Sequence, residues 1–312
     1  MLNLIIMGTG PFAVPSLRAL AASDHPIVSV VCKPPRGRRG EPAAPMAAAA
    51  EELGLPLWRP ETVNDPDSQS RLADFGADLL VVCDYGEILK DATLSTTRFG
   101  GVNLHGSLLP RHRGAAPVQW AILKGDTETG ATVIQMTPGL DAGPSLGQVK
   151  VAIDPDETAG ELEDRLAPLG AELVVRVVAE LESGTAAAEP QDKSLVTKAP
   201  RLDKACGQIS WTRPADWIKN HVRGLNPWPR AFAFLPQPKG DPLRLVVDRV
   251  QIAAGSGEAG TVLDTDQRLI VACGEGAIEV LAVQPAGKKL MKTEDWLRGA
   301  KIAVGDVFLQ VE

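Results

Sequence analysis

The chain has 312 residues, 44% of them hydrophobic, which suffices for a sizeable core and suggests two domains. No run of about 18 apolar residues is present, and residues 2–7 lack the basic start and long apolar core of a secretory signal, so no membrane span and a cytoplasmic location are expected. The net charge of −7 disfavours indiscriminate nucleic-acid binding, and Cys32, Cys83, Cys206 and Cys273 lie apart from one another without histidine neighbours, so no metal is expected.

In the first half, β-rich apolar runs alternate with helical patterns. Residues 2–7, 27–32, 79–83 and 101–105 read as buried strands, with helices at 12–22 and 46–53 between them. Alternation of this kind predicts a doubly wound, mostly parallel α/β sheet, in which ligands gather beyond the carboxyl ends of the strands. Further strands are expected at 132–136 and 148–153. Thr158 and Glu161 have capping-box spacing, and Leu162, Leu166, Leu169, Leu173, Val177 and Leu181 then recur every three or four residues, as in a helix packed on a sheet. Polar and proline residues interrupt this periodicity after 188, so we divide the chain into a first domain at 1–188, a linker at 189–204 and a second domain at 205–312. The second domain has a helical pattern at 214–223 and short β-like runs at 243–250, 260–263, 269–272 and 277–283, which suit a small OB-like β-barrel.

The charge is unevenly spread. Residues 1–200 carry 17 basic against 26 acidic residues, a net −9, whereas residues 201–312 carry 15 against 13, a net +2. A local basic loop at Arg36, Arg38 and Arg39 stands out within the acidic part, although basic loop tips are commonly no more than solvated.

Two segments carry candidate chemistry. Gly8, Gly10 and Ala13 satisfy G-x-G-x-x-A after a strand and before a helix, the pattern of a dinucleotide fold. The place of the ribose-binding acid, however, holds Cys32-Lys33-Pro34, and Pro11 removes a backbone donor from the expected phosphate cradle. The second segment is Asn103-Leu104-His105-Gly106-Ser107, joined by Asp141 on a distant strand-end loop. If 102–105 closes a strand, Asn103 and His105 project to the same face. Acyl transfer to an amine needs a donor aimed at the developing oxyanion and a base near nitrogen. Asn103 suits the first task and His105 the second, while Asp141 could hold the imidazole tautomer and raise its basicity. The same residue types also cap turns, so spacing alone leaves a structural role open.

Gly8 through Ala13, Tyr85-Gly86, Asn103 through Pro110, Arg113 through Pro117, Gly125 through Gly130 and Gly139 through Gly143 together resemble the methionyl-tRNA formyltransferases. The core segments are also similar to folate-dependent enzymes that formylate nucleotide sugars or glycinamide ribonucleotide. In the second half, Lys198 through Leu202, Gln208 through Trp211, Leu225 through Pro229 and Gln284 through Met291 favour the tRNA enzymes. The resemblance implies a formyltransferase-type Rossmann-like domain, 10-formyltetrahydrofolate as co-substrate, and initiator methionyl-tRNA as acceptor; a monomer is the expectation for the chain. It further implies a folate pocket shaped by Ser107, Leu108, Leu109 and Pro110, with a cis bond before Pro110 and pterin contacts from Tyr85, Gly86 and Ile88. Arg36, Arg38 and Arg39 would meet tRNA, as would Lys288 and Lys289, although Lys33-Pro34-Pro35 departs from the family's Gln-Pro-Asp opening of that loop.

Overall fold

A computed structural model describes residues 1–35, 43–237 and 240–309; the basic loop at Arg36, Arg38 and Arg39 lies outside them. The described chain divides into two compact units. The first comprises Met1–Pro117, Glu128–Ala152 and Glu163–Pro200, and the second Val118–Thr127, Ile153–Leu162 and Arg201–Glu312.

In the first unit the order is β1 (Leu4–Met7), α1 (Val14–Ala21), β2 (Ile27–Val31), α2 (Pro45–Glu52), β3 (Leu57–Trp58), α3 (Pro66–Asp74), β4 (Leu79–Val82), α4 (Asp91–Leu94), β5 (Gly101–His105) and β6 (Arg113–Gly114). Further along the chain come α5 (Pro117–Leu123), which from Val118 on belongs to the second unit, then β7 (Glu128–Gln135), β8 (Ser145–Ala152), α6 (Ala159–Ser183), which belongs to the first unit from Glu163 on, and β9 (Lys198–Ala199). Seven strands form one sheet in the order β3-β2-β1-β4-β5-β7-β8. Its first five strands are parallel, and the β7–β8 hairpin adds antiparallel pairing. Leu4, Ile5, Ile6 and Met7 are all buried, as are Leu79, Leu80, Val81 and Val82, which is why these strands read as continuous apolar runs. Strand order reverses on either side of β1, so the carboxyl ends of β1 and β4 face a switch-point crevice.

Several elements escaped the sequence reading. β3 has two residues, and α3 is a polar helix announced only by Asp65, whose side chain accepts from Ser68 N at 2.8 Å just before Pro66. Residues 12–22 divide into a 3-10 turn, Pro11–Ala13, and α1. A larger difference concerns 189–204, expected as a linker. Residues 189–200 belong to the first unit: β9 pairs in parallel with β6, Ser145 and Glu189 exchange two backbone bonds of 2.8 Å, and His112 N donates to Thr197 Oγ1 at 2.8 Å. Their polar composition reflects an exposed edge satisfied by hydrogen bonds, which hydropathy cannot distinguish from a tether.

The second unit contains α7 (Ala215–Gly224), β10 (Ala231–Leu235), β11 (Leu243–Ala253), β12 (Val262–Asp264), β13 (Leu269–Ala272), β14 (Ala277–Pro285), β15 (Met291–Lys292) and α8 (Thr293–Leu297). Its strands make a curled antiparallel sheet ordered β10-β11-β14-β13-β12, with β15 on β14, an OB-like arrangement. Trp211 is wholly buried, 5.1 Å from the Phe308 ring between centroids, and anchors a core that includes Ile218, Val247, Val271 and Ile278. Trp228, by contrast, is half exposed. This unit also recruits 118–127 and 153–162, beyond the expected 205–312. Arg223 Nη1 donates to the carbonyls of Asp154 and Glu157, both at 3.1 Å, and Lys219 pairs with Asp156 at 2.6 Å. The capping box forms: Glu161 N donates to Thr158 Oγ1 at 3.3 Å and Thr158 N to Glu161 Oε2 at 2.8 Å. No helix among the described residues is long and apolar enough to cross a membrane.

Candidate active site

β5 ends at His105, with Asn103 two residues earlier on the same strand face. β5 lies between parallel β4 and antiparallel β7, with Asn103 opposite Ile134 and His105 opposite Thr132. Asn103 is half-buried. His105 is only 5% exposed, and its Nε2 lies 2.9 Å from the backbone oxygen of His112. A carbonyl accepts and never donates, so Nε2 carries the proton in the neutral ring and Nδ1 is left as the basic nitrogen. Nδ1 faces Asp141 Oδ2 at 3.7 Å. The tautomer is therefore fixed by the His112 carbonyl, not by Asp141 as the sequence reading had it. Asp141 instead sits where a proton on Nδ1 would be stabilised. Burial pushes the imidazole below its ordinary pKa, and the Asp141 carboxylate and the His112 carbonyl oppose that shift.

Asp141 lies on the turn between β7 and β8 at φ 47°, a left-handed conformation uncommon outside glycine. Its Oδ2 accepts from Gly114 N at 2.9 Å. At Gly114, φ is 133° and a Cβ would come within 2.3 Å of Ala199 O. Glycine is therefore required where β6 brings its N–H to the carboxylate.

The chain after His105 is bound into the sheet. Thr132 Oγ1 donates to Ser107 O at 2.7 Å and accepts from Leu109 N at 3.1 Å; Gln148 Nε2 reaches Leu109 O at 2.8 Å. The Leu109–Pro110 peptide is cis, as the family resemblance implied. Ser107 and Leu109 are buried, while Leu108 and Pro110 are half-buried. Thr132 and Gln148 thus hold this segment. Thr132 and Gln148 face each other across the β7–β8 hairpin, a pairing that two polar residues within apolar strand runs make legible in sequence.

Residues 85–88 follow β4 beside β1. Tyr85 is packed in the core with Ile5, Leu72 and Leu80, so its ring serves the fold. Gly86, at φ 83°, has open space where a Cβ would stand, and Ile88 is 61% exposed. The loop is held from behind by Glu87, which accepts from Lys33 Nζ, from Thr62 Oγ1 and from Asn64 Nδ2, the last at 2.8 Å. Burial opposes ionisation of Glu87, but the Lys33 and Thr62 hydrogen bonds outweigh it and hold its carboxyl below the usual range. An open glycine and an exposed isoleucine at a switch-point crevice fit a flat ring.

The G-x-G-x-x-A segment is put to a different use from a phosphate cradle. A Cβ on Gly10 would lie 1.7 Å from Asp84 Oδ2. A carboxyl group thus occupies the approach that a pyrophosphate would take, and the turn beyond it is 3-10. Desolvation pushes the Asp84 carboxyl up to about 6, although the residue is exposed to solvent, which weakens that shift. Among the described residues no group of three or more His, Cys, Asp or Glu is arranged to hold a metal. In the second unit, Lys288 and Lys289 are exposed on the turn between β14 and β15.

Comparison with known proteins shows the family. The formyl transferase family model matches residues 2–178, and the formyl transferase C-terminal domain model matches 201–301. A methionyl-tRNA formyltransferase of Parvibaculum lavamentivorans is 45% identical over 98% of this chain and 99% of its own length. One from Rhodopseudomonas palustris is 46% identical over 96% of this chain and 97% of its own. Among solved structures, a sugar 3N-formyl transferase crystallised with dTDP and 5-N-formyl-THF superposes with a TM-score of 0.68 at 15% identity, over 93% of this chain and 99% of its own. That last likeness is one of fold.

Proposed function

This chain belongs to the methionyl-tRNA formyltransferase family, and from that premise we propose that Asn103, His105 and Asp141 carry formyl transfer from 10-formyltetrahydrofolate to the α-amine of methionine on initiator tRNA. The observation that carries this reading is the buried His105 imidazole, whose Nδ1 faces Asp141 Oδ2 at 3.7 Å while Nε2 is committed to a carbonyl.

The chemistry follows from the residues. As the amine nitrogen bonds to the formyl carbon, the carbonyl oxygen gains negative charge, and the Asn103 amide donates to it. His105 Nδ1 takes the proton that the amine sheds. Asp141 steadies the imidazolium so formed without accepting the proton itself. When the bond from the formyl carbon to the folate nitrogen breaks, His105 returns the proton to that leaving nitrogen. Burial keeps the resting imidazole neutral and therefore competent as a base at neutral pH.

Ser107, Leu108, Leu109 and Pro110 form one wall of the donor pocket. Gly86 and Ile88 offer backbone groups and an apolar surface to the pterin, and Tyr85 supports them from the core. Lys288 and Lys289, on an exposed turn, suit phosphate contacts, as do Arg36, Arg38 and Arg39 by sequence; phosphate contacts give affinity and the amine gives choice. Replacing His105 by alanine should lower turnover by about 10² to 10⁴ with the fold retained. Near-normal turnover would remove His105 from the chemistry.

A further inference from the structure

We propose that Gln191 is a positioning residue for the proton-transfer pair, its carboxamide tying Arg113 to the Asp141 turn and so setting the Asp141 carboxylate beside His105. The inference rests on the catalytic reading of His105 and Asp141 given above. Gln191 Oε1 accepts from Arg113 Nε at 3.1 Å and from Arg113 Nη2 at 2.6 Å. Its Nε2 donates to Asp141 O at 2.9 Å and Gly143 O at 2.7 Å. Two lone pairs and two N–H groups are all that a carboxamide offers, and each is used. Glutamine is therefore matched to this place more closely than its polar, aperiodic sequence context suggests.

The two carbonyls it grips flank Ala142 on the turn that holds Asp141 at φ 47°. A non-glycine residue persists in that region when its surroundings over-determine it. Here the carboxylate is fixed by Gly114 N and the backbone by Gln191, while Arg113, next to Gly114, closes the circuit. The strap containing Gln191 is itself fastened on both sides, by the Ser145–Glu189 bridge before it and by the β6–β9 pair after it. A shift of the strap would thus move the carboxylate relative to His105 Nδ1. Since the charge of Asp141 raises the imidazole pKa, displacement has a signed consequence: the His105 pKa falls.

The test uses the full chain with ¹³C-labelled histidine. Gln191→Met keeps the length, adds no charge that would itself raise the His105 pKa, and removes all four hydrogen bonds. Gln191→Asn keeps the donors and shortens the reach, and serves if the first variant folds poorly. We expect His105 to titrate at lower pH than in the wild type, turnover to fall roughly 10- to 100-fold, and KM for donor and tRNA to stay within about twofold of wild type. In an Asp141→Asn background the same change should add no further shift, because the charge it displaces is gone. An unchanged His105 titration in a folded variant, or a turnover loss that merely follows the melting temperature, overturns the proposal. Normal turnover of His105→Ala would instead overturn the catalytic reading, while a downward-shifted titration in Gln191→Met would still stand as positioning.

Discussion

Asp141→Asn separates charge from shape at the centre of the site. The asparagine Oδ1 can still accept from Gly114 N, so the turn keeps the 2.9 Å bond that orients it. What disappears is a negative charge 3.7 Å from His105 Nδ1. At that distance an imidazolium and a carboxylate attract by roughly 4 kcal/mol at an effective dielectric of about 20, which is an upper bound on the loss. Relaxation of side chains and water can leave as little as half of this, so the transition state in which Nδ1 takes a proton rises by about 2 to 4 kcal/mol. Turnover then falls by roughly 30- to 1,000-fold. The pH profile should move as well. Burial already holds the His105 pKa below its ordinary value and Asp141 pulls it back up. Removing that charge lowers it further, so the acid limb of the rate profile shifts to lower pH while the plateau drops. The assay is single-turnover formyl transfer with saturating donor and methionyl-tRNA between about pH 5 and 8. A plateau within about threefold of wild type, with an acid limb unmoved or shifted upward, would refute the pairing of Asp141 with Nδ1.

Two further outcomes concern stability. Gly114→Ala places a Cβ 2.3 Å from Ala199 O at φ 133°, and should cost about 2 to 4 kcal/mol together with turnover; an unchanged melting temperature would contradict the fit of β6 to β9. His221 is buried against Trp217, with ring centroids 4.7 Å apart, and burial lowers its pKa to about 4. The unfolded imidazole takes a proton near pH 6.5 and the native one resists until about 4, so stability is complete above about pH 6.5 and lost by up to roughly 3 kcal/mol as pH falls through that window. His221→Phe retains the stacking and should flatten the melting temperature over this range; an equally steep decline in the variant would assign the acid sensitivity to other groups.

The sequence revealed what is written in side-chain pattern. β1, β2, β4 and β5 are legible because Ile5, Val30, Leu80 and Val102 are buried within continuous apolar runs, and Asn103 and His105 share a face because a strand alternates. Asp141 could be placed on a strand-end loop because Gly139 and Gly143 bracket it. What stayed hidden depends on backbone atoms and distant pairings. The carbonyl that selects the His105 tautomer belongs to His112, and no property of the His112 side chain announces it. β6 and β9 are two residues each, too short for any periodicity, yet they bring Gly114 N to Asp141. Gln191 sits in a polar stretch that composition cannot tell from a tether, and only its four hydrogen bonds disclose its place. The same holds for Gly10, whose motif suggested a phosphate while its actual neighbour is the Asp84 carboxyl.

The account is tested most directly by offering the purified protein 10-formyltetrahydrofolate together with three acceptors in parallel: initiator methionyl-tRNA, elongator methionyl-tRNA and an amino-sugar nucleotide. Formyl transfer to initiator methionyl-tRNA, lost in His105→Ala, is the predicted result. Transfer to the sugar nucleotide in its place would keep the chemistry of Asn103, His105 and Asp141 but contradict the acceptor, and transfer to none of the three would contradict the account as a whole.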